Sequence, residues 1–295
     1  MPTEPRPRRS ALYVPANNDK AVAKAGTLAA DVVILDLEDA VAPDDKPAAR
    51  ATTVAAVAHG EWRPREVFVR ANGLATPWGA DDLAALVDAR VDGIVVPKID
   101  GPADVDRYHA ALAAAPSHVG LWVMIETCAA IGTLPAIAAR AGATRLAGFV
   151  VGINDLAKEM RARLTTDRAP FVGMLALAVA AARASGLGVL DGVCNDFSDL
   201  DRFRAECAQG ADIGFDGKTL IHPRQIEPCN EIFSPQPGDV AHAHAVVAAF
   251  ARPENHGKGV ITVDGRMVEL LHRDRAHELL ATVAAIAERQ RGAER

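Results

Sequence analysis

The chain has 295 residues, of which 49% are hydrophobic, 24% charged and 4% aromatic, with a formal net charge of −6. That length fits one large α/β domain or two small ones, and the apolar fraction supplies a sizeable core. An acidic balance with few aromatics argues against a general nucleic-acid or anionic-membrane surface, while leaving room for a local basic pocket that takes a phosphate.

The opening "PRPRRS" carries arginines with no long apolar segment behind it, so no signal peptide is expected. The first apolar run, "ALYVP" at 11–15, reads as a strand with Tyr13 late in it. Residues 17–30 read as a helix that sets Lys20 and Lys24 four apart on one face. Near a helix N-terminus such a pair suits phosphate binding; it equally suits plain solvated surface. "DVVILDLED" at 31–39 is the second strand and ends in an acidic cluster. Alternation sends Asp36 and Glu38 to one side and Asp39 to the other. These acids suit contacts to metal-bound water, or helix capping, or an internal ion pair.

"EVFVRAN" at 66–72 is the third strand and carries Arg70 near its end. A guanidinium there serves as a counterion to the acids, or holds a substrate carboxylate or an enolate oxygen. A helix is expected over 81–90, then "DGIVVPKI" at 92–99 as strand four, with Lys98 late in it. After a helix over 102–115 comes "LWVMIET" at 121–127, where five apolar residues run into Glu126. A lone carboxylate ending a buried strand needs a partner. "LAGFVVGIND" at 146–155 ends on Asp155, a helix follows over 169–186, then come "LGVLDGVCND" at 187–196 and "ADIGFDGKTLIHP" at 211–223, the last carrying His222. A lone His is a hydrogen-bonded structural residue or a base.

Eight strands alternating with helices imply parallel pairing and a (β/α)8 TIM barrel, whose active site lies where all eight strand ends meet. The polar residues named above sit at that end. An open doubly wound sheet is the rival, but no GxGxxG follows the first strand. The barrel is expected to occupy residues 1–234. After the turn formers "PQPG" comes a C-terminal helix–hairpin–helix extension over 235–295: a helix at 238–252, a hairpin at 257–269 turning at Asp264-Gly265, and a helix at 272–290.

On strands five and six, Glu126 and Asp155 stand about 4.8 Å apart if they share a level. Hard carboxylate oxygens suit Mg²⁺, with Mn²⁺ as the substitute, and two protein ligands leave about four positions for water and a chelating 2-hydroxy or 2-oxo acid. The plain alternative is that each acid pairs with a nearby Arg or Lys, or caps the next helix. Four cysteines without a CxxC spacing and no apolar run near the roughly 18 residues of a membrane span point to a reduced, cytoplasmic protein.

In order along the chain, "ALYVPANNDKAVAK", "DVVILDLEDAV", "FVRANG", "VPKI", "MIET", "GINDLAKE", "NDF" and "GFDGKTLIHPRQI" resemble the HpcH/HpaI aldolase/citrate lyase family, above all its malyl-CoA and citramalyl-CoA lyases and the citrate lyase β subunit. The resemblance implies a Mg²⁺-binding barrel that assembles as a homotrimer or hexamer. It implies Glu126 and Asp155 as metal ligands and Arg70 as the arginine near the substrate carbonyl. Tyr13, Lys20 and Lys24, with Ile221 and His222, then contact the acyl-CoA. It further implies that the tail lends an acid to a neighbouring subunit's site. There those lyases resemble G-x-M-[IV]-D, whereas this chain reads "GRMVE" and places Glu269. The expected catalytic set is Arg70, Glu269 and Asp36.

The implied reaction cleaves a 3-hydroxyacyl-CoA of malyl, methylmalyl or citramalyl type to glyoxylate or pyruvate and a shorter acyl-CoA. The alternatives are a malyl-CoA thioesterase, a citrate-lyase-type subunit working with partner subunits on a carrier-bound thioester, and a non-catalytic CoA-binding protein. No nucleic-acid or membrane partner is expected.

Overall fold

A computed structural model describes residues 6–60 and 62–293. The start of the chain, where no signal peptide is expected, lies in part outside the described residues. Two compact units are distinguished, Arg8–Phe233 and a second formed, among the described residues, by Arg6, Pro7 and the chain from Ser234 onward.

In the first unit, eight strands close into a parallel barrel: β1 Ser10–Pro15, β2 Val32–Asp36, β3 Glu66–Arg70, β4 Gly93–Val96, β5 Gly120–Ile125, β6 Leu146–Val151, β7 Gly188–Asp191 and β8 Gly217–Leu220. Ala11 pairs with Val32 on one side and with Thr219 on the other, so β1 meets both β2 and β8 and the open-sheet rival is excluded. The connecting helices are α1 Asp19–Ala25, α2 Lys46–His59, α3 Gly79–Leu86, α4 Pro102–Ala111, α5 Cys128–Ala138, α6 Ile153–Met160, α7 Val172–Ala184 and α8 Leu200–Ile213, with α9 Ile226–Ile232 after the last strand.

Alternation divides each strand's residues between two apolar layers. Ala11, Val32, Ile34, Phe68, Val95, Trp122, Met124, Val150 and Leu190 fill the barrel interior. The other face, with Leu12, Val33, Val69, Val96, Val123 and Leu220 among others, packs against the helices. Trp122 dominates the interior and is 1% exposed. It fits because Gly148 and Gly188 face it; a Cβ at either would overlap its ring.

The eighth strand is shorter than its sequence suggested. Residues 211–213 still belong to α8, which ends at Gly214 in a left-handed conformation (φ 104°), and pairing is confined to Gly217–Leu220. Glycine ends a helix in this way because it lacks the Cβ that penalises positive φ.

The second unit comprises α10 Pro237–Phe250, a hairpin of β9 Val260–Val263 and β10 Arg266–Glu269, and α11 Leu270–Ala293. Asp264 and Gly265 both have positive φ, 49° and 75°, as a two-residue hairpin turn requires. Val246, Phe250, Ile261, Val263, Val268 and Ala276 form this unit's own core. Among the described residues no helix is long and apolar enough to cross a membrane. The four cysteines are free thiols.

Candidate active site

Period-two alternation carries the inward rows of the barrel up to charged residues. Asp36 lies two past Ile34, Arg70 two past Phe68 and Glu126 two past Met124. All three therefore point into the C-terminal mouth. Tyr13, Asp36, Asp39, Arg70, Met124, Glu126, Asp155, Asn195, Thr219 and Ile221 are among the residues that line a cavity of about 370 Å³ there.

Arg70 organises one wall. Its Nε and Nη2 donate to Asp36 Oδ1 and Oδ2 at 2.8 and 2.7 Å, a two-point grip. Its Nη1 lies 2.8 Å from Glu38 Oε2 and 3.3 Å from Asp39 Oδ2. All three acids thus reach one guanidinium, and the strand alternation that separated Asp39 does not hold. The strand ends at Asp36, and the Asp36 carboxylate then accepts from the amides of Glu38 and Ala40, turning the following residues back toward Arg70. Asp36 is 1% exposed, and its oxygens are taken up by Arg70 and these two amides. The Arg70 guanidinium also sits 4.8 Å over the Tyr13 ring. The Tyr13 hydroxyl is buried without a hydrogen-bond partner among the described residues. Burial raises its pKa well beyond the ordinary phenol range, so it stays a donor that a ligand can take.

Burial also lifts Glu38 from an ordinary 4.5 to about 8, with Arg70 pulling down and Asp39 pushing up. A folded-state pKa above the unfolded one means that the folded protein binds the extra proton between these values. The contribution is present below about 4.5 and is lost as pH rises through about 8. In chelator, Glu38→Gln is therefore expected to flatten the fall in the urea midpoint between pH 5 and pH 8, since each tenfold change in proton affinity is worth about 1.4 kcal/mol. Equal pH slopes for the two proteins would exclude this role.

Glu126 and Asp155 face each other across the same mouth. Glu126, 1% exposed, follows the end of β5. Asp155 does not end a strand as expected: β6 stops at Val151, and Asp155 sits in the first turn of α6. There the helix N-terminus favours a carboxylate. Gly152 makes the close approach possible, since a Cβ on it would overlap the Glu126 side chain. Thr127 accepts from Ala130 N and donates to Ile99 O, pinning the segment after Glu126.

The carboxylates converge on the Lys98 ammonium, 2.7 Å from Asp155 Oδ1 and 3.4 Å from Glu126 Oε1. Burial raises the Glu126 pKa, opposed by Lys98. The local ion pair that the sequence admits is thus present, and it marks one point that two hard oxygen donors reach. Among the described residues no group of three or more Asp, Glu, His or Cys is gathered to hold a metal. Two carboxylates fit a Mg²⁺-type ion that keeps several positions for water and substrate.

The remaining candidates separate. Lys20 and Lys24 are exposed on the seven-residue α1, with no ion pair among the described residues. Ile221 is 40% exposed on the cavity rim. His222 is occupied structurally. Its Nδ1 accepts from Arg224 N, and its ring stacks on Phe197 at 4.7 Å and 9°. Glu269 ends β10 in the second unit, half-buried, paired across the hairpin with Val260. Reading strand by strand gave Lys98 a place but no role, because its contacts cross from β4 to β5 and α6. Asn154 and Asn195 also gain meaning only in space. Their amides exchange two hydrogen bonds, 3.0 and 2.8 Å, linking the first turn of α6 to the loop after β7.

A model of the HpcH/HpaI aldolase/citrate lyase family matches residues 9–223. A (3S)-malyl-CoA thioesterase of Cereibacter sphaeroides is 46% identical over 97% of this chain and 98% of its own. An L-malyl-CoA/beta-methylmalyl-CoA lyase of Rhodobacter capsulatus is 34% identical over 91% and 92%. Among solved structures, the protein CitE from Mycobacterium tuberculosis in complex with magnesium, acetoacetate and coenzyme A superposes with a TM-score of 0.73, at 30% identity, over 93% of this chain and 97% of that one.

Proposed function

The chain belongs to the HpcH/HpaI aldolase/citrate lyase family, and from that premise we propose that it is a divalent-cation-dependent enzyme hydrolysing a malyl-type CoA thioester to the hydroxy acid and free CoA. The observation that carries the cation site is the convergence of Glu126 and Asp155 on one cationic point beside Arg70. The thioester is favoured as the scissile bond by the 46% identity to a (3S)-malyl-CoA thioesterase over nearly all of both chains.

Magnesium, held by Glu126 and Asp155, would supply Lewis-acid anchoring for the carboxylate and hydroxyl of the substrate. Arg70 is placed for the charge that develops elsewhere. Whether water adds to the thioester or the neighbouring C–C bond breaks, negative charge grows on the thioester oxygen, as an oxyanion or as an enolate. A preorganised guanidinium stabilises either. Asp36, its oxygens already taken up, acts by holding Arg70 in position rather than by moving a proton. The buried Tyr13 hydroxyl donates to the acyl end, while Lys20, Lys24 and Ile221 serve the CoA arm and His222 holds the turn after Ile221. Glu269, brought by a neighbouring copy in a trimer or hexamer, takes the proton of the attacking water.

The second reading is the lyase expected from the sequence, in which Glu269 instead protonates the departing enolate. It is favoured by the 34% identity to the malyl-CoA lyase. Because Arg70 and the cation point serve both reactions, products must decide. With purified protein, Mg²⁺ and (3S)-malyl-CoA, NMR is expected to show malate and free CoA without glyoxylate. Glyoxylate with acetyl-CoA would establish the lyase instead, and no conversion of malyl-, methylmalyl- or citramalyl-CoA would overturn both.

A further inference from the structure

Lys98 follows β4 with φ at 53°, a conformation that disfavours residues other than glycine and persists only where surroundings enforce it. The enforcement is visible. The Lys98 amide donates to Glu126 Oε1 at 2.8 Å, while its side chain runs on to Asp155. One residue thereby gives Glu126 a backbone donor and spans both acids with an ammonium. The side chain is 47% exposed, so a route out to solvent is open, and its flexible stem can follow it. An ammonium and a divalent cation cannot share this point, because like charges a few ångströms apart repel strongly in a half-buried site.

We propose that Lys98 is a built-in competitor for the cation site: its ammonium bridges Glu126 and Asp155 when no divalent ion is bound and must leave when one enters, so that Lys98 sets the cation affinity. This inference rests on the cation site of the proposed function and adds a residue that tunes it. The left-handed backbone at Lys98 serves the same end. It keeps the amide on Glu126 in both states, so only the side chain moves and the carboxylate stays aimed.

The test is calorimetric titration of Mn²⁺ and of Mg²⁺ into the full-length protein without substrate. Wild type, Lys98→Met, Lys98→Arg and Glu126→Gln are compared, with circular dichroism to confirm folding. Lys98→Met is expected to bind about fivefold tighter, the scale of a half-exposed ion pair that no longer has to be broken. Lys98→Arg, which keeps the positive charge, should stay near wild type, and Glu126→Gln should lose the binding. Wild-type binding with equal or weaker affinity in Lys98→Met would overturn the competition while leaving the cation site standing. No binding by wild type or Lys98→Met would overturn the cation site itself, and the competition with it. Binding by Lys98→Met alone would be the strongest form of the expected result.

Discussion

Glu126→Gln is expected to lower turnover by about 10²–10³-fold or more, the range found when a preorganised electrostatic group at a reacting centre is removed. The substitution is close to isosteric, and a Gln oxygen can still accept from the Lys98 amide that now donates at 2.8 Å. What disappears is the negative charge that, with Asp155, defines the cationic point. The thermal midpoint should therefore move by only a few degrees, and divalent-cation binding should vanish together with activity. Turnover near wild type in Glu126→Gln, or full wild-type turnover in excess chelator with negative metal analysis, would remove the cation from the reaction. Asp155→Asn is expected to behave alike, because the proposed function gives the two acids one ion to hold.

Asp191→Asn is expected to lower stability by about 3–5 kcal/mol, the range for breaking a buried ion pair from one side. Asp191 ends β7 and is 0% exposed. Its oxygens lie 2.8 and 2.7 Å from Arg168 Nη1, and Oδ2 lies 2.8 Å from Lys218 Nζ. Burial opposes its charge, but Lys218 and Arg168 more than offset this, and its pKa lies below the ordinary 3.8. Its contribution is therefore present above the usual carboxylate range and is lost only as pH falls below it. Neutralising Asp191 would leave two buried cations with Glu206 as the remaining acid, 3.5 Å from Lys218. Against a typical domain stability of about 5–15 kcal/mol, that loss is large. Urea unfolding is the measurement. A change under about 1 kcal/mol would show that Asn accommodates both cations. Adding Lys218→Met should recover part of the loss, since residues within one network do not act additively.

Much of this architecture is written locally. Eight apolar runs interleaved with Ala-rich helices admit few arrangements, because parallel strands joined by helices must be covered on both faces. The same alternation that hides Ile34, Phe68 and Met124 points Asp36, Arg70 and Glu126 into the mouth. Those three candidates were legible from period two alone. Asp39 and Asp155 were not placed correctly, because each lies past the end of its strand, where capping and turn geometry replace alternation. Local pattern likewise determined the hairpin around Asp264-Gly265, since that dipeptide accepts the positive φ that such a turn imposes.

Only the tertiary structure decided who meets whom. Arg70 could have paired with any acid; the β2–β3 register sets Asp36 beside it, and the turn after β2 brings Glu38 and Asp39 to the same guanidinium. Lys98 looked like one more late-strand cation until the β4, β5 and α6 segments put its ammonium between Glu126 and Asp155. His222 carried no sign that it caps its own turn and stacks on Phe197. By itself the sequence determined the barrel and the strand ends at which its charged residues gather. These depend on short-range periodicity and residue chemistry. The pairings depend on the register between neighbouring strands and on the turns that follow them, and no pattern within a single strand encodes either.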